Sequence, residues 1–317
     1  MKKVICIVLT LLTVMLMVVP ASALPYYTSV DIYTFEELKR EIEKLPDEDA
    51  IVAFYIHNDI TITETINIRC DNTELDFVNA SDSDKVTLWV DNCLGFDINT
   101  YTDDVHMCFD GVKIVDLLET GYGGTARGIE VSAYSDGVEI SGAIFYALGS
   151  NFINYGGAIY VNNDDCLIKD CTFIRCYAYR EGGAIYINDD DVTIKDCTFS
   201  GCAVDNSESK GAGIAVSSGR KNILIDGCTF SNPAHDGIGQ AVYGSGTEKK
   251  YTKVTNCNPK SDIEFWYANC YYADNAAGSL ISEGNLWIII ALSVLAFGGI
   301  VAVIIVNKKK KIVPNEK

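Results

Sequence analysis

Basic side chains are scarce in this 317-residue chain: 25 Lys and Arg stand against 43 Asp and Glu, a formal net charge of −18. So little positive charge argues against nucleic acid or other polyanions as partners. Histidine is scarce too. His57, His106 and His235 lie far apart in sequence, none with a second ligand nearby, which is not the spacing of a zinc site. The chain has six prolines. Strong helix formers are thin between residues 128 and 230, so a helical repeat is not expected there.

Long apolar runs are confined to the two ends. Lys2 and Lys3 precede an apolar stretch from Val4 to Val19, followed by Pro20 and Ala21-Ser22-Ala23. That order predicts a secretory signal peptide over 1–23. Leu286 to Val306 carries no charge and is long enough to cross a hydrocarbon core of ~30 Å. Trp287 stands at its outer edge and Lys308 to Lys311 follow it, which marks the cytoplasmic side. A transmembrane helix over 285–306 and a cytoplasmic tail over 307–317 are expected, with the body outside a cell membrane. The sortase sequence Leu-Pro-x-Thr-Gly is missing ahead of the run, where Asn275 to Glu283 reads NAAGSLISE. Setting aside Lys2, Lys3, Lys308 to Lys311, Glu316 and Lys317 leaves 18 basic and 42 acidic residues, a net of −24. That charge suits a soluble surface body, or one that recruits divalent cations.

What is present between the ends is repetition. Residues 156 to 173 read GGAIYVNNDDCLIKDCTF and residues 182 to 199 read GGAIYINDDDVTIKDCTF, with 14 identities at a separation of 26. A looser copy runs from Gly211 to Phe230, and a fourth is detectable in Val138, Ile140, Ala143 and Phe145. In each copy apolar side chains fall at alternate positions, interrupted at Lys-Asp, which is a strand period broken by a corner. Equivalent phenylalanines then recur at spacings of 28, 26 and 31 residues. Three short parallel strands per turn, stacked at ~4.8 Å, place equal residues over one another. The expected fold is all-β, a right-handed parallel β-helix solenoid, with an N-terminal capping helix and a C-terminal transmembrane helix. Ala203 to Lys210 is read as an insertion bulging at a corner.

The capping helix is read at YTFEELKREIEKL, Tyr33 to Leu45, where Thr34 and Glu37 form a capping box and Phe35, Leu38 and Ile42 share a face. It would cover the unpaired strand edges of the first coil. The chain therefore divides into a capping region over 24–50, the β-helix over 51–245 and a C-terminal cap and stalk over 246–284. DIEFWYANCYY, Asp262 to Tyr272, is the candidate closing segment.

The Gly-Gly-Ala-Ile motif and the spacing from Phe173 to Cys176 and from Phe199 to Cys202 resemble the repeats of chlamydial polymorphic outer-membrane proteins. They are similar, more broadly, to adhesin-like β-helix proteins, and the capping helix resembles the starts of pectate-lyase-like β-helices. The likeness covers roughly Gly128 to Phe230, and this chain has cysteine where the chlamydial motif has asparagine. The resemblance implies an exported β-helix surface protein.

For function, the Asn162-Asn163-Asp164-Asp165 and Asn188-Asp189-Asp190-Asp191 runs occupy one corner on adjacent coils. Asn and Asp are ordinary turn residues, yet stacked carboxylates also offer hard oxygen ligands to calcium. Asp164, Asp165, Asp189, Asp190 and Asp191 are the candidate metal ligands, and no other cofactor is expected. The Arg-x-Pro-x-x-Arg run and the Gly-His-Gly context of polysaccharide-cleaving β-helices are both missing. The leading expectation is a non-enzymatic, adhesin-like or glycan-binding surface module, with Tyr160 and Tyr186 as a sugar-facing ladder and a glycan or a neighbouring cell surface as partner. The alternative is a polysaccharide lyase or glycoside hydrolase acting on acidic or plant-type polysaccharide. The cysteines read as core thiols, because Val192, Ala143 and Leu148 replace Cys166, Cys171 and Cys176 in neighbouring copies; inter-coil disulfides are the alternative, since ~4.8 Å between stacked Cα atoms is within a disulfide's span.

Overall fold

The structure is a computed structural model and describes residues 26–98, 103–119, 124–132, 137–233, 238–246, 251–260 and 266–273. The expected signal peptide, transmembrane helix and tail lie outside the described residues, as does His235.

The chain winds through about eight turns of a parallel solenoid with three walls. Among the described residues the first wall has ten strands. They are β1 (Tyr26–Ile32), β2 (Ala50–Ile56), β5 (Thr73–Asn79), β8 (Val105–Asp110), β11 (Glu139–Ser141), β14 (Leu167–Lys169), β18 (Thr193–Lys195), β22 (Ile223–Asp226), β25 (Thr252–Thr255) and β27 (Tyr271–Ala273). The second wall has seven: β3 (Ile60–Ile62), β6 (Val86–Val90), β9 (Val112–Asp116), β12 (Ile144–Tyr146), β15 (Thr172–Ile174), β19 (Thr198–Ser200) and β23 (Thr229–Ser231). The third has eight: β4 (Ile66–Ile68), β7 (Leu94–Ile98), β10 (Arg127–Val131), β13 (Ile159–Val161), β17 (Ile185–Ile187), β21 (Ile214–Val216), β24 (Val242–Tyr243) and β26 (Tyr267–Ala268).

Register follows the sequence repeat. Ile168, Ile194 and Ile225 pair along the first wall, and Phe145, Phe173, Phe199 and Phe230 along the second. All are buried. Corners repeat as well. One or two residues before seven of the first-wall strands the backbone turns left-handed, with φ from +46° to +69° at Asp49, Asn72, Asp104, Gly137, Asp165, Asp191 and Asn222. Gly, Asn and Asp tolerate that region best. The Lys-Asp interruption is a second such corner, with Asp170 at +53° and Asp196 at +51°. Gly183 meets a different demand. A Cβ there would lie 2.2 Å from the Ala212 carbonyl oxygen and 2.3 Å from that of Ala203, so only glycine fits between the coils.

Helix α1 (Phe35–Glu43) starts at Thr34 with the full capping box and buries Phe35, Leu38 and Ile42. It lies against β4, β3 and β1. The second and third walls begin with β3 and β4, so the helix covers their open edges. The first wall differs from the expected boundaries. It starts one strand earlier, because β1 precedes the helix and pairs with β2 along its whole length. Pairing also runs past residue 245 to Ala273, through β25, β26 and β27. The Ala203–Lys210 insertion is shorter than its sequence suggests. Ala203 and Val204 are buried in β20 (Ala203–Val204), paired with β16 (Tyr177–Ala178), and only Asn206, Ser207 and Glu208 are exposed.

Candidate functional site

The outer face of the third wall carries a file of aromatic and charged side chains. Inward residues Ile129, Ile159 and Ile185 are buried, so the alternate positions Glu130, Tyr160 and Tyr186 face outward in one file, continued by Ala215 and Tyr243. Tyr160 and Tyr186 stack with ring centroids 5.6 Å apart, and Tyr155 packs on Tyr186 at 4.6 Å. Tyr186 is thereby 7 % exposed, so the accessible rings are Tyr155 and Tyr160. The Arg127 guanidinium sits 5.1 Å over the Tyr160 ring. It is fixed by Nε to the Gly156 carbonyl at 3.0 Å, by Nη2 to that of Tyr155 at 2.9 Å, and by an ion pair with Glu130. Burial pulls the Arg127 pKa down, and Glu130 opposes it. Burial, then the Glu130 charge, raises the Tyr160 phenol.

Two further files flank this one. Tyr155, Glu181, Lys210 and Ile238 bridge in sequence on one side. Lys210 pairs with Glu181 at 3.0 Å and lies 4.9 Å over the Tyr243 ring. On the other side, Asn188 Nδ2 donates to Asn162 Oδ1 at 2.7 Å. The repeat pointed to Tyr160 and Tyr186. Arg127, Tyr155, Glu181 and Lys210 went unread, although the last three each directly precede the repeated glycine and align on that signal.

The family described as the right handed beta helix region matches residues 65–259. The chain belongs to the right-handed β-helix family. No curated protein and no solved structure matches it.

In this β-helix the acidic corner serves the turns. Asp165 and Asp191 occupy the left-handed corner position, which Asn72 and Gly137 fill elsewhere. Asp190 Oδ1 accepts the Lys221 backbone N–H at 3.0 Å, and Asp191 Oδ1 accepts from Asn222 Nδ2 at 2.9 Å. Asp189 accepts the Asp190 N–H and lies 3.6 Å from Arg220. Asp164 is exposed, and its carbonyl accepts from Asn163 at 2.8 Å. Among the described residues no group of three or more His, Cys, Asp or Glu is disposed to hold a metal ion.

The β-helix interior holds a column of thiols. Cys171, Cys197, Cys228 and Cys257 donate to the carbonyls of Lys169, Lys195, Asp226 and Thr255 at 3.2–3.5 Å. All eleven described cysteines are free, and burial pushes the Cys166 thiol up to about 12. On the first wall's outer face, Glu74, His106 and Glu139 pair in register across adjacent coils. Lys169 pairs with Glu139 at 2.7 Å. Beside them, burial and then the Glu74 charge raise the Asp76 carboxyl. His57 lies elsewhere, stacked on Tyr33 at 4.5 Å and hydrogen-bonded to Asp31 at 2.7 Å.

Proposed function

We propose that this β-helix is a non-catalytic saccharide-binding module displayed at a cell surface, with the outer face of the third wall as its binding face. The observation that carries the reading is the Arg127–Tyr160–Tyr155 cluster. Rigid, partly exposed rings are held by a fixed guanidinium and bordered by Asn162, Glu130 and Glu181. Aromatic faces take the apolar side of a sugar, while the surrounding amides and carboxylates bind its hydroxyls. The central file from Glu130 to Tyr243 spans four coil steps, roughly 19 Å at ~4.8 Å each. That length suits an extended oligosaccharide, and the net −24 of the body favours a neutral one. Export by residues 1–23 and anchoring by 285–306 belong to the same proposal. A glycan array combined with a reducing-end assay on the purified protein tests it. Bound sugar with no product supports the module; new reducing ends or unsaturated uronate overturn it.

A second reading rests on the first wall. Glu74 and Asp76 lie two residues apart on β5 and on the same outer face, about 6.6 Å between backbones at ~3.3 Å per residue. Inverting glycosidases separate their two carboxyls by roughly 6.5–9.5 Å. Asp76, with its raised carboxyl, would be the acid, and Glu74 the base. Sugar release lost in both Asp76→Asn and Glu74→Gln would favour this reading over the first.

A further inference from the structure

Asp116 ends β9 and is 1 % exposed. Its Oδ1 accepts the Leu118 N–H at 3.1 Å, but its Oδ2 has no hydrogen-bond partner. A buried carboxylate oxygen left bare is costly unless something compensates its charge. Burial raises this carboxyl; the Leu118 N–H pulls the other way, and the Asp91 charge adds to the rise.

The bare oxygen faces a space that Gly124 keeps open. A Cβ built on Gly124 would lie 3.3 Å from Asn92 Oδ1, 3.4 Å from Asp116 Oδ2 and 3.6 Å from Asp116 Oδ1. Three oxygens from two coils therefore converge on one small cradle. The surrounding contacts hold it in shape. Asn92 Nδ2 donates to Asp91 Oδ1 at 3.0 Å, and Thr125 Oγ1 donates to the Asn92 carbonyl at 2.9 Å. Ser150 Oγ donates to the Gly124 carbonyl. The neighbouring Cys93 thiol is turned away, toward the Ile62 carbonyl at 3.4 Å.

We infer that this corner is a calcium site, with the Asp116 carboxylate and the Asn92 amide oxygen as protein ligands and Asp91 as a supporting charge. The donors are all hard oxygens, which suit calcium rather than zinc, and water completes the 6–8 ligands calcium takes. The site is separate from the Asp164–Asp165 and Asp189–Asp191 corner and independent of the saccharide reading.

Thermal unfolding of the purified full-length protein in EDTA and in calcium chloride tests the inference. Terbium emission excited through Trp89, which pairs with Val115 next to Asp116, is the second readout. Calcium raises the wild-type midpoint; Asp116→Asn abolishes both the rise and the terbium signal, while Asp189→Asn/Asp190→Asn retains both. Gly124→Ala keeps the carboxylate, fills the cradle and weakens apparent calcium affinity about tenfold. A wild-type midpoint indifferent to calcium, or a calcium response surviving in Asp116→Asn, overturns it. If Asp116→Asn fails to fold, unaltered affinity in Gly124→Ala does so instead.

Discussion

Phe173 and Phe199 face each other in register on β15 and β19, their ring centroids 4.7 Å apart and their planes 7° from parallel. Phe145 and Phe230 extend the stack in both directions. Each ring is supported by identical neighbours above and below, so removing a central one leaves a cavity that the rigid coils cannot close. Phe199→Ala is expected to cost about 3–5 kcal/mol in urea unfolding, and Phe199→Leu clearly less. Equal losses for the two would contradict a packed aromatic column.

Glycine requirements separate into two kinds. Gly183→Ala places a methyl 2.2 Å from the Ala212 carbonyl oxygen, a backbone atom that cannot yield. It should prevent native folding, seen as loss of the β-sheet circular dichroism signal. Gly219, with φ at +86° and nothing within 4 Å of a built Cβ, meets only backbone strain. Gly219→Ala should cost about 1–2 kcal/mol.

Thiol reactivity should divide by depth. Iodoacetamide at pH 8 should modify Cys108 before the buried Cys166, Cys171 and Cys176. Burial raises all three buried thiols and so suppresses the reactive thiolate. Mass spectrometry of the native protein should find those three unmodified until denaturant is added. Early labelling of Cys171 would place the column at a surface.

Asp76 gives a pH signature. Its carboxyl is raised in the folded state from an ordinary value of 3.8, so folding favours the protonated form. Stability from this group is present below pH 3.8 and is lost as pH rises through the raised folded value. Asp76→Asn should therefore be more stable than the parent at pH 7, and the difference should vanish on acidification toward pH 3.8. A constant difference across that range would show that burial does not govern this carboxyl.

How much of this could be read in the sequence depended on which wall carries the large side chains. Downstream of Gly128 the phenylalanines sit on the second wall in every coil, and the repeat declares itself. Upstream the aromatic column is on the first wall instead, at Phe54, Phe77 and Phe109, with Phe96 against it from the third. The same core is built there from different positions, so alignment finds no copy. β1 escaped notice because it lies on the far side of the helix from its partner. Of the candidate sites, Tyr160 and Tyr186 were legible as repeat positions, but Arg127 belongs to a coil lacking the Gly-Gly-Ala motif. The Asp116 corner was not legible at all. Asn92 and Gly124 reach it from connections of unequal length, after β6 and after β9, and only coiling brings them together.

Isothermal titration of an array-identified oligosaccharide against the protein and its Arg127→Ala and Tyr160→Ala variants tests the central claim most directly. Saturable binding to the parent, weakened at least tenfold in both variants while each keeps the parent's β-sheet circular dichroism, is the predicted result. Undiminished binding in both variants would contradict the third wall as the binding face.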